Sequence, residues 1–439
     1  MASFFIPLTG LEADSTALNT IANNLSNMNT TAFKAQTTNF ADLFYQQIGS
    51  TGAGDPIQTG AGVQVASNNT SFTQGSINAT GKSTDVALNG SGFFVVDSGN
   101  GTREYTRAGD FSLDSNGNLV TSNGMSVMGY PATNGVVNTN APLTPINIPL
   151  GQVERPKATS TLDMTANLDA SSISGATFPA QITIYDSLGV SHIATVTYTQ
   201  TGTNTWSYSA SLPDSDFTSK SCTPVTGTMT FDSSGNLTAV TPSGGTATPV
   251  GTGSGDISSI PLSFTGLANG AADLSMNWNL LGPSGTPTIS QVDTASAVSA
   301  TAQNGYASGQ YQSFTIGSDG TVTATYSNGQ QENVGQLALA NVPNLDGLQL
   351  LGNGDYATTL ASGAAAVGVP GTSGLGTIED AALEQSNVNI SAEFSNLGSC
   401  RCRNRVFLRQ PLGAAVAKEW KGTAIQPGTG ISELLSAFA

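Results

Sequence analysis

The N-terminal end of this chain carries a helical apolar stripe that the neighbouring sequence cannot cover. Its six residues are spaced three, four or seven apart: Leu8, Leu11, Leu18, Ile21, Leu25 and Met28. This spacing predicts an amphipathic helix, and such a helix must bury its apolar side against another element. The opposite side, which we expect to face water, carries four amides: Asn19, Asn23, Asn24 and Asn27.

A second helical pattern near the C-terminal end supplies a partner for this stripe. Thr377-Ile-Glu-Asp380 has the residues of a capped helix start. Four apolar residues follow it at helical spacings: Leu383, Ile390, Phe394 and Leu397. We expect Gly398 to end this helix, because glycine is a poor helix former. The two patterns together predict N- and C-terminal helices that pair as a coiled coil.

The sequence between the two ends is mainly typical of β structure. A short helical piece is expected at residues 38–48, but from Val63 onward apolar and polar residues alternate, as they do in strands. Turn sequences separate the alternating runs: Asp186–Gly189, Ser318–Gly320 and Asn328-Gly329. The predicted fold class is therefore α+β and multidomain, with paired terminal helices and mainly β central domains.

Charge and hydropathy exclude several classes of partner. Charged residues make up 10% of the 439 residues, and the net charge is −16; ordinary globular proteins have roughly 25% charged residues. A strongly acidic chain is repelled by nucleic acid and by anionic membranes. The apolar runs are too short for a membrane-spanning helix. No basic residue precedes Lys34, so we expect neither membrane insertion nor a cleaved signal peptide.

The chain offers no candidate catalytic or metal-binding constellation. Its one histidine, His192, lies in a predicted strand, where we expect it to face solvent or a neighbour, and Cys400 and Cys402 have no further ligand nearby. Asp114 and Asp232 begin two similar loops, which we interpret as turns. The first loop lacks the acidic residue that a calcium-binding EF-hand needs at its twelfth position. We therefore predict no catalytic residue, no cofactor and no metal.

Six segments of the chain resemble the bacterial flagellar rod and hook family in both order and spacing. They are Thr9–Lys34, Phe72–Gly75, Asp85–Val96, Tyr105–Phe111, Gly335–Val342 and Leu383–Val388. The resemblance covers most of residues 1–397. Rod proteins of that family are shorter and usually lack an insert such as residues 146–287, so the hook branch of the family is the nearest match.

The resemblance implies a structural subunit of the hook that self-assembles into a curved, tubular universal joint and transmits torque from rod to filament. It also implies extracellular placement in the flagellum, with export that needs no cleaved signal peptide. The implied partners are copies of the chain, the rod and hook-filament junction proteins, the hook cap and the export apparatus. The ten stripe residues named above are the candidate assembly residues.

The resemblance also divides the chain into four regions. The terminal regions form an inner tube of helices, a connector follows, and two β-rich domains form an inner shell and an outer insert. Their limits are 1–33 with 372–439 for the helical domain, 34–70 for the connector, 71–145 with 288–371 for the inner shell domain, and 146–287 for the inserted outer domain.

Three other interpretations stay open. The chain could be another axial flagellar protein such as a distal rod subunit, although the central insert counts against that. It could be a β-rich surface adhesin without a flagellar role, which would leave the paired end helices unexplained. An enzyme on a β scaffold is the third alternative, and it lacks candidate ionisable groups.

The C-terminal tail departs from the family, in which the last helix continues well beyond Leu397. Here Gly398 and Pro411 interrupt the helical pattern, and six of the 13 basic residues lie within residues 401–421. One hypothesis is a shift of reading frame in the coding DNA, which sequencing of that DNA tests. The other is a naturally variable tail. If the tail is real, the inner helix pair is truncated, which puts assembly in doubt.

Overall fold

The computed structural model describes residues 5–409, with side chains described from Ile6 to Ser399. A helix lies at each end of this part: α1, Phe5–Ser26, and α2, Ile390–Arg409. The chain divides into two compact units. The first unit comprises the residues up to Ile148, then Phe314–Thr323, then those from Glu332 onward; the second unit comprises Pro149–Ser313 and Ala324–Gln331.

Short strands follow α1 in the first unit. They are β1 Gln36–Asp42, β2 Gln46–Ser50, β3 Pro56–Thr59, β4 Val63–Thr70, β5 Ile77–Ala79, β6 Val86–Asn89, β7 Phe93–Asp97, β8 Arg103–Thr106, β9 Ser112–Leu113, β10 Leu119–Val120, β11 Ser126–Thr133, β12 Val136–Val137 and β13 Thr144–Pro145.

The remaining strands run through the second unit and then back into the first, and two single 3-10 turns, Asp214–Asp216 and Leu345–Gly347, interrupt the series. The strands are β14 Val153–Glu154, β15 Thr161–Asp169, β16 Thr177–Tyr185, β17 Ser191–Gly202, β18 Thr205–Ser211, β19 Val225–Phe231, β20 Leu237–Pro242, β21 Thr248–Pro249, β22 Ser259–Phe264, β23 Leu274–Asn279, β24 Ile289–Val292, β25 Ala297–Gln303, β26 Gly309–Ile316, β27 Thr321–Tyr326, β28 Gln331–Leu337, β29 Leu339–Asn341, β30 Gln349–Gly352, β31 Asp355–Ala357, β32 Ala366–Gly368, β33 Thr377–Asp380 and β34 Ala382–Glu384.

Two sheets pack face to face in the second unit. Strands β16 to β21 form one sheet in sequence order, and the other has the order β22-β23-β15-β24 with β25 also beside β15. Their inward-facing side chains share one core, to which Trp206 and Tyr208 belong from the first sheet and Met164 and Trp278 from the second. Buried and exposed residues alternate along these strands, because successive side chains point to opposite faces.

The second unit and the predicted insert begin close together, at Pro149 and residue 146, but they end differently. The unit extends to Ser313, beyond the expected limit at residue 287. Strands β24 and β25 hydrogen-bond to β15 along most of its length, so they belong to the same sheet.

The predicted hairpins and turns are confirmed. Strands β16 and β17 pair with Tyr185 opposite Ser191, and Gly189 in the turn has a φ of +83°, which glycine adopts without steric cost. Asp186 Oδ1 accepts hydrogen bonds from the backbone N–H groups of Leu188 and Val190, both at 2.9 Å. The side chains of Asp114 and Asp232 accept the same pair of bonds in their own loops, so both loops are turns.

The core of the first unit is centred on strand β7. Phe93 to Val96 are all buried, and Phe93 packs with Phe72 and Tyr356 at ring distances of 5.4–5.9 Å. Phe94 points to the opposite side and meets Phe111 edge to face at 5.2 Å. A strand that is buried on both faces requires a continuous apolar run rather than an alternating one.

The predicted start and end of the C-terminal helix are both wrong. Thr377–Asp380 is strand β33, and its Ile378 lies opposite Leu88 of β6, with both side chains buried. Leu383 lies on β34, so it is not a helical residue. The helix begins at Ile390 and continues through Gly398. The apolar spacing of this segment suits a helix, but pairing with strands that are distant in sequence makes it β structure. The tail from residue 410 onward lies outside the described residues.

Three expectations near the N-terminus are also wrong. Residues 38–48 contribute to strands β1 and β2, and β1 pairs with β4 along its length, which satisfies its backbone hydrogen-bonding groups. Met28 lies in the turn that follows α1 rather than on the helix. Asn24, expected to face water, has no exposed surface.

Candidate assembly site

The buried side of α1 includes two alanines, and Ile21 is the one residue of the predicted stripe that is buried there. Ala13, Ala17 and Ile21 are buried. Small residues allow close approach of the strands beside the helix. The Thr38 hydroxyl on β1 donates to the Thr20 hydroxyl at 2.9 Å. This face therefore attaches α1 to its own connector.

Asn24 links three elements through its side-chain amide. Its Nδ2 donates to the backbone O of Gln36 at 2.8 Å and to Glu393 Oε1 at 2.9 Å, and its Oδ1 accepts from the backbone N–H of Gln36 at 2.9 Å. A buried amide is stable only when its donors and acceptor are paired. Asn24 therefore ties α1 to β1 and to α2.

Three of the predicted assembly residues come together between the two helices. Leu18 and Ile21 of α1 share a small apolar cluster with Ala17 and with Leu397 of α2. Leu25 of the predicted stripe is partly buried.

Most of the other predicted assembly residues remain at the surface. Leu8 is 50% exposed and Leu11 44%, while Ile390 and Phe394 of α2 are 43% and 56% exposed. Met28 is exposed in its turn, and Leu383 is partly buried on β34. The apolar stripes are thus only partly covered by the chain itself.

A buried ionic cluster lies at the junction between the terminal segments and the β structure of the first unit. Lys34 Nζ contacts Glu384 Oε1 at 2.6 Å, and neither side chain is exposed. Glu384 Oε2 contacts Arg107 Nη1 at 3.4 Å. One carboxylate therefore serves two cations, and Arg107 also donates to the backbone O of Gly90 at 2.7 Å and lies 5.5 Å from the centre of the Phe93 ring.

Burial opposes both positive charges of this cluster. Desolvation lowers the pKa of Lys34 below its ordinary value, although the hydrogen bond and the charge of Glu384 act in the other direction. The pKa of Arg107 is lowered for the same reason, again against the effect of Glu384. The carboxylate of Glu384 is thus what allows two cations to be buried here.

Backbone contacts complete the junction. Asn387 Oδ1 accepts from the backbone N–H of Ala35 at 2.7 Å, and its Nδ2 donates to the backbone O of Ser71 at 2.8 Å. Gly75 lies directly against the backbone O of Gln385, where a β-carbon would collide. Residues from three distant parts of the sequence are therefore held in one place.

None of the predictions from sequence includes this junction. Lys34, Arg107 and Glu384 all lie inside segments that resemble the rod and hook family, yet they were not paired with one another. The sequence does contain a signal for this cluster. Only 10% of the residues are charged, yet these three charges lie within apolar or amide-rich segments. Charged residues in such segments are buried only when they are paired.

The hairpin of strands β2 and β3 presents apolar side chains to solvent. All residues of both strands are exposed, and Phe44, just before β2, is 94% exposed. Tyr45, Ile48 and Ile57 are exposed as well. This hairpin is the second apolar surface of the first unit.

The described residues contain neither a metal-binding cluster nor a membrane-spanning helix. Within residues 5–409, no group of three or more His, Cys, Asp or Glu is placed to hold a metal ion. No helix in the same part of the chain is long and apolar enough to cross a membrane.

Family models match three parts of the chain. A flagella basal body rod protein model matches residues 8–34, a flagellar hook protein FlgE/F/G D1 domain model matches residues 87–174, and a flagellar basal body protein FlaE D2 domain model matches residues 155–306. The solved structure of Helicobacter pylori flagellar hook protein FlgE2 matches with a TM-score of 0.51 and 15% identity, covering 70% of this chain and 100% of that one. This likeness concerns the fold alone.

Full-length relatives give the stronger result. The chain is 34% identical over 409 residues to the flagellar hook protein FlgE of Escherichia coli K12, and the match covers 90% of this chain and 93% of the relative. It is 33% identical over 438 residues to FlgE of Treponema pallidum, covering 90% and 94%. These relatives are hook proteins and not enzymes. The chain therefore belongs to the flagellar hook protein family and is a structural subunit of the bacterial flagellar hook.

Proposed function

We propose that this hook subunit polymerises with copies of itself into a curved tube that acts as a universal joint between rod and filament. The observation that carries the proposal is the apolar surface that α1 and α2 leave exposed: Leu8, Leu11, Ile390 and Phe394. Covering apolar surface stabilises an assembly by about 25 cal/mol per Å². When the surface that covers it lies elsewhere on a second copy, the contact propagates into a helical filament.

We infer that α1 and α2 pair as a coiled coil in the assembled tube. The contact of Leu397 with Leu18 and Ile21 supports this pairing. The ten predicted stripe residues would then divide between the pairing of the two helices and contacts with neighbouring copies. Leu383 and Met28 lie off the helices, so their role would be limited to the ends of this surface.

The exposed β2–β3 hairpin is a second candidate surface for contact between copies. Its apolar side chains, among them Phe44 and Ile48, belong to the predicted connector at residues 34–70. Several exposed apolar side chains on one hairpin support an interaction site there.

We keep the predicted division into four regions as part of the proposal. Residues 1–33 with 372–439 would line the tube, with 34–70 as connector, and 71–145 with 288–371 would form the inner shell, outside which the inserted region 146–287 would lie. The compact unit that begins at Pro149 supports a separate outer domain.

Partners and placement follow from the family. We infer export to the extracellular flagellum without a cleaved signal peptide, and contacts with the rod, the hook-filament junction proteins, the hook cap and the export apparatus. No catalysis, cofactor, metal, nucleic acid or membrane insertion is part of this proposal. The acidic net charge of −16 supports the exclusion of nucleic acid.

Electron microscopy of the purified full-length chain, salted out with ammonium sulfate, tests the proposal. We expect short curved tubes from the unchanged protein. The double variant Leu8→Glu, Leu11→Glu should stay monomeric under the same salt conditions, because a carboxylate cannot be buried unpaired at a contact.

Leu360→Glu is the matched control, since Leu360 is fully exposed and lies on neither helix. This variant should form tubes like the unchanged protein. Circular dichroism establishes that all variants are folded. If the double variant formed tubes at the salt concentration at which the unchanged protein does, that result would refute the role of the stripe in assembly.

A further inference from the structure

The second unit contains a buried charged cluster around its histidine. His192, the single histidine of the chain, is the second residue of strand β17 and is 6% exposed. Its Nδ1 lies 2.8 Å from Asp216 Oδ2, and its Nε2 lies 3.1 Å from Asp186 Oδ2. Both ring nitrogens therefore face a carboxylate oxygen.

This geometry determines the protonation state of the ring. A neutral imidazole has one N–H group and one nitrogen that can only accept, whereas an ionised carboxylate can only accept. A neutral His192 would thus place a lone pair against one of the two carboxylates. Two donors at once require the imidazolium form.

The two carboxylates belong to separate segments. Asp186 starts the turn between β16 and β17, and Asp216 ends the 3-10 turn Asp214–Asp216. A third segment contributes the amide of Asn269, whose Nδ2 donates to Asp186 Oδ2. The imidazolium therefore bridges one turn to another, and Asn269 attaches a further loop to the same carboxylate.

The other acidic groups of these segments accept hydrogen bonds from different partners, and Lys220 is exposed. Asp214 accepts a hydrogen bond from the backbone N–H of Cys222 at 2.7 Å, and Asp273 accepts one from the backbone N–H of Gly266 at 3.1 Å. Ile184, which lies opposite His192 on the neighbouring strand β16, carries no charge. The electrostatic environment of the ring is therefore set by Asp186 and Asp216.

We propose that His192 is a proton-dependent clasp of the second unit, which holds the Asp186 turn to the Asp214–Asp216 segment while the ring is charged and releases one of them when the ring loses its proton. The clasp makes the stability of this unit depend on pH near neutrality, where histidine titrates.

The pKa directions agree with this geometry. Burial alone would lower the pKa of His192, but the hydrogen bonds and charges of Asp216 and Asp186 outweigh it and raise the pKa above its ordinary value. Burial would raise the pKa of Asp186, but hydrogen bonds from Asn269, His192 and the turn backbone lower it. The stabilisation is therefore complete below about pH 6.5, the ordinary histidine pKa, and is lost as pH rises through the raised pKa of the folded state.

Nitrogen NMR of the histidine ring tests the proposal in the full chain. The protein is labelled with ¹⁵N only at histidine and carries no histidine tag, so every ring signal comes from His192. We expect both ring nitrogens to be protonated at pH 6, with a midpoint above that of free histidine. Asp216→Asn should lower this midpoint. A neutral ring at pH 6, or a midpoint at or below that of free histidine, would overturn the proposal.

Thermal unfolding of the second unit, followed by tryptophan fluorescence, is the second measurement. The unfolding temperature of the unchanged protein should decrease as the pH is raised from 6 to 9. In His192→Gln this decrease should be much smaller. Asp232→Asn is the matched control, because Asp232 caps a similar turn of the same unit through Asn236. It should keep the pH dependence of the unchanged protein. Equal pH dependence in His192→Gln would also refute the clasp.

Discussion

Glu384 shows how one residue can organise a region of this chain. Its two oxygens contact Lys34 at 2.6 Å and Arg107 at 3.4 Å, and Oε1 also accepts from the backbone N–H of Gly75 at 2.8 Å. A buried ion pair adds little net stability compared with apolar residues, but removing one partner leaves an uncompensated charge. The cluster therefore acts as a specific joint rather than as a source of surplus stability.

We expect Glu384→Gln to destabilise the first unit by about 3–5 kcal/mol, because two buried cations lose their counter-charge. Amide hydrogen exchange of strand β7, measured by mass spectrometry, reports this loss within the first unit. Lys82→Gln is the control: Lys82 contacts Asp85 at 3.2 Å but is largely exposed, so its loss should cost less than about 1 kcal/mol. Unchanged exchange of β7 in Glu384→Gln would contradict the role of the joint.

Helix α2 is the element in which local sequence preference and structure disagree. Gly398 has a low helix propensity, yet α2 continues through it to Arg409. A β-carbon at this position would meet no atom within 4 Å. Nothing in the packing of the described residues therefore requires glycine here.

Gly398→Ala should accordingly stabilise α2 by about 0.5–1 kcal/mol, the usual gain for alanine over glycine inside a helix. Helicity by circular dichroism and hydrogen exchange of α2 measure the effect. Gly320→Ala should instead destabilise the turn between β26 and β27. Gly320 has a φ of +81°, and a β-carbon there would lie 2.8 Å from Pro370 Cγ. A loss of helicity in Gly398→Ala would mean that the helix ends at this residue, as the sequence pattern alone predicts.

At the scale of the whole molecule, the low charge content bears on the bending of a hook. Charged residues make up 10% of the chain, and its polar surface consists largely of hydroxyl and amide groups. Two like charges 4 Å apart repel by about 1 kcal/mol in water, whereas hydroxyl groups can exchange partners at little cost. We infer that neutral polar contacts let neighbouring subunits slide during bending.

Adding charge to the second unit should therefore change the stiffness of assembled tubes. Ser263 and Ser275 are exposed and lie opposite each other on β22 and β23. We expect Ser263→Lys with Ser275→Lys to alter the distribution of tube curvature in electron micrographs, while Ser263→Thr with Ser275→Thr should not. Identical curvature in the lysine variant would refute the link between charge content and bending.

Local patterns in the sequence were sufficient for much of the β structure. The alternation around Asp186–Gly189 and the Asp-based turns at Asp114 and Asp232 depend on neighbours within a few residues, so they were predictable. The N-terminal helix was predictable for the same reason. Its stripe did not reveal which side is buried, because Ala13 and Ala17 pack closely where the leucines do not.

Other features depend on partners that are distant in sequence, and only the tertiary structure decided them. The local sequence of strand β33 predicts a helix start, because its pairing with β6 leaves no local signal. The contact of Glu384 with Lys34 spans 350 residues, and His192 meets Asp216 across a separation of 24 residues. Composition, turn chemistry and helical spacing thus determined the classes of element, because these act over a few residues. The burial of charges and amides was decided by tertiary packing, because a buried polar group needs a partner wherever the chain can supply one.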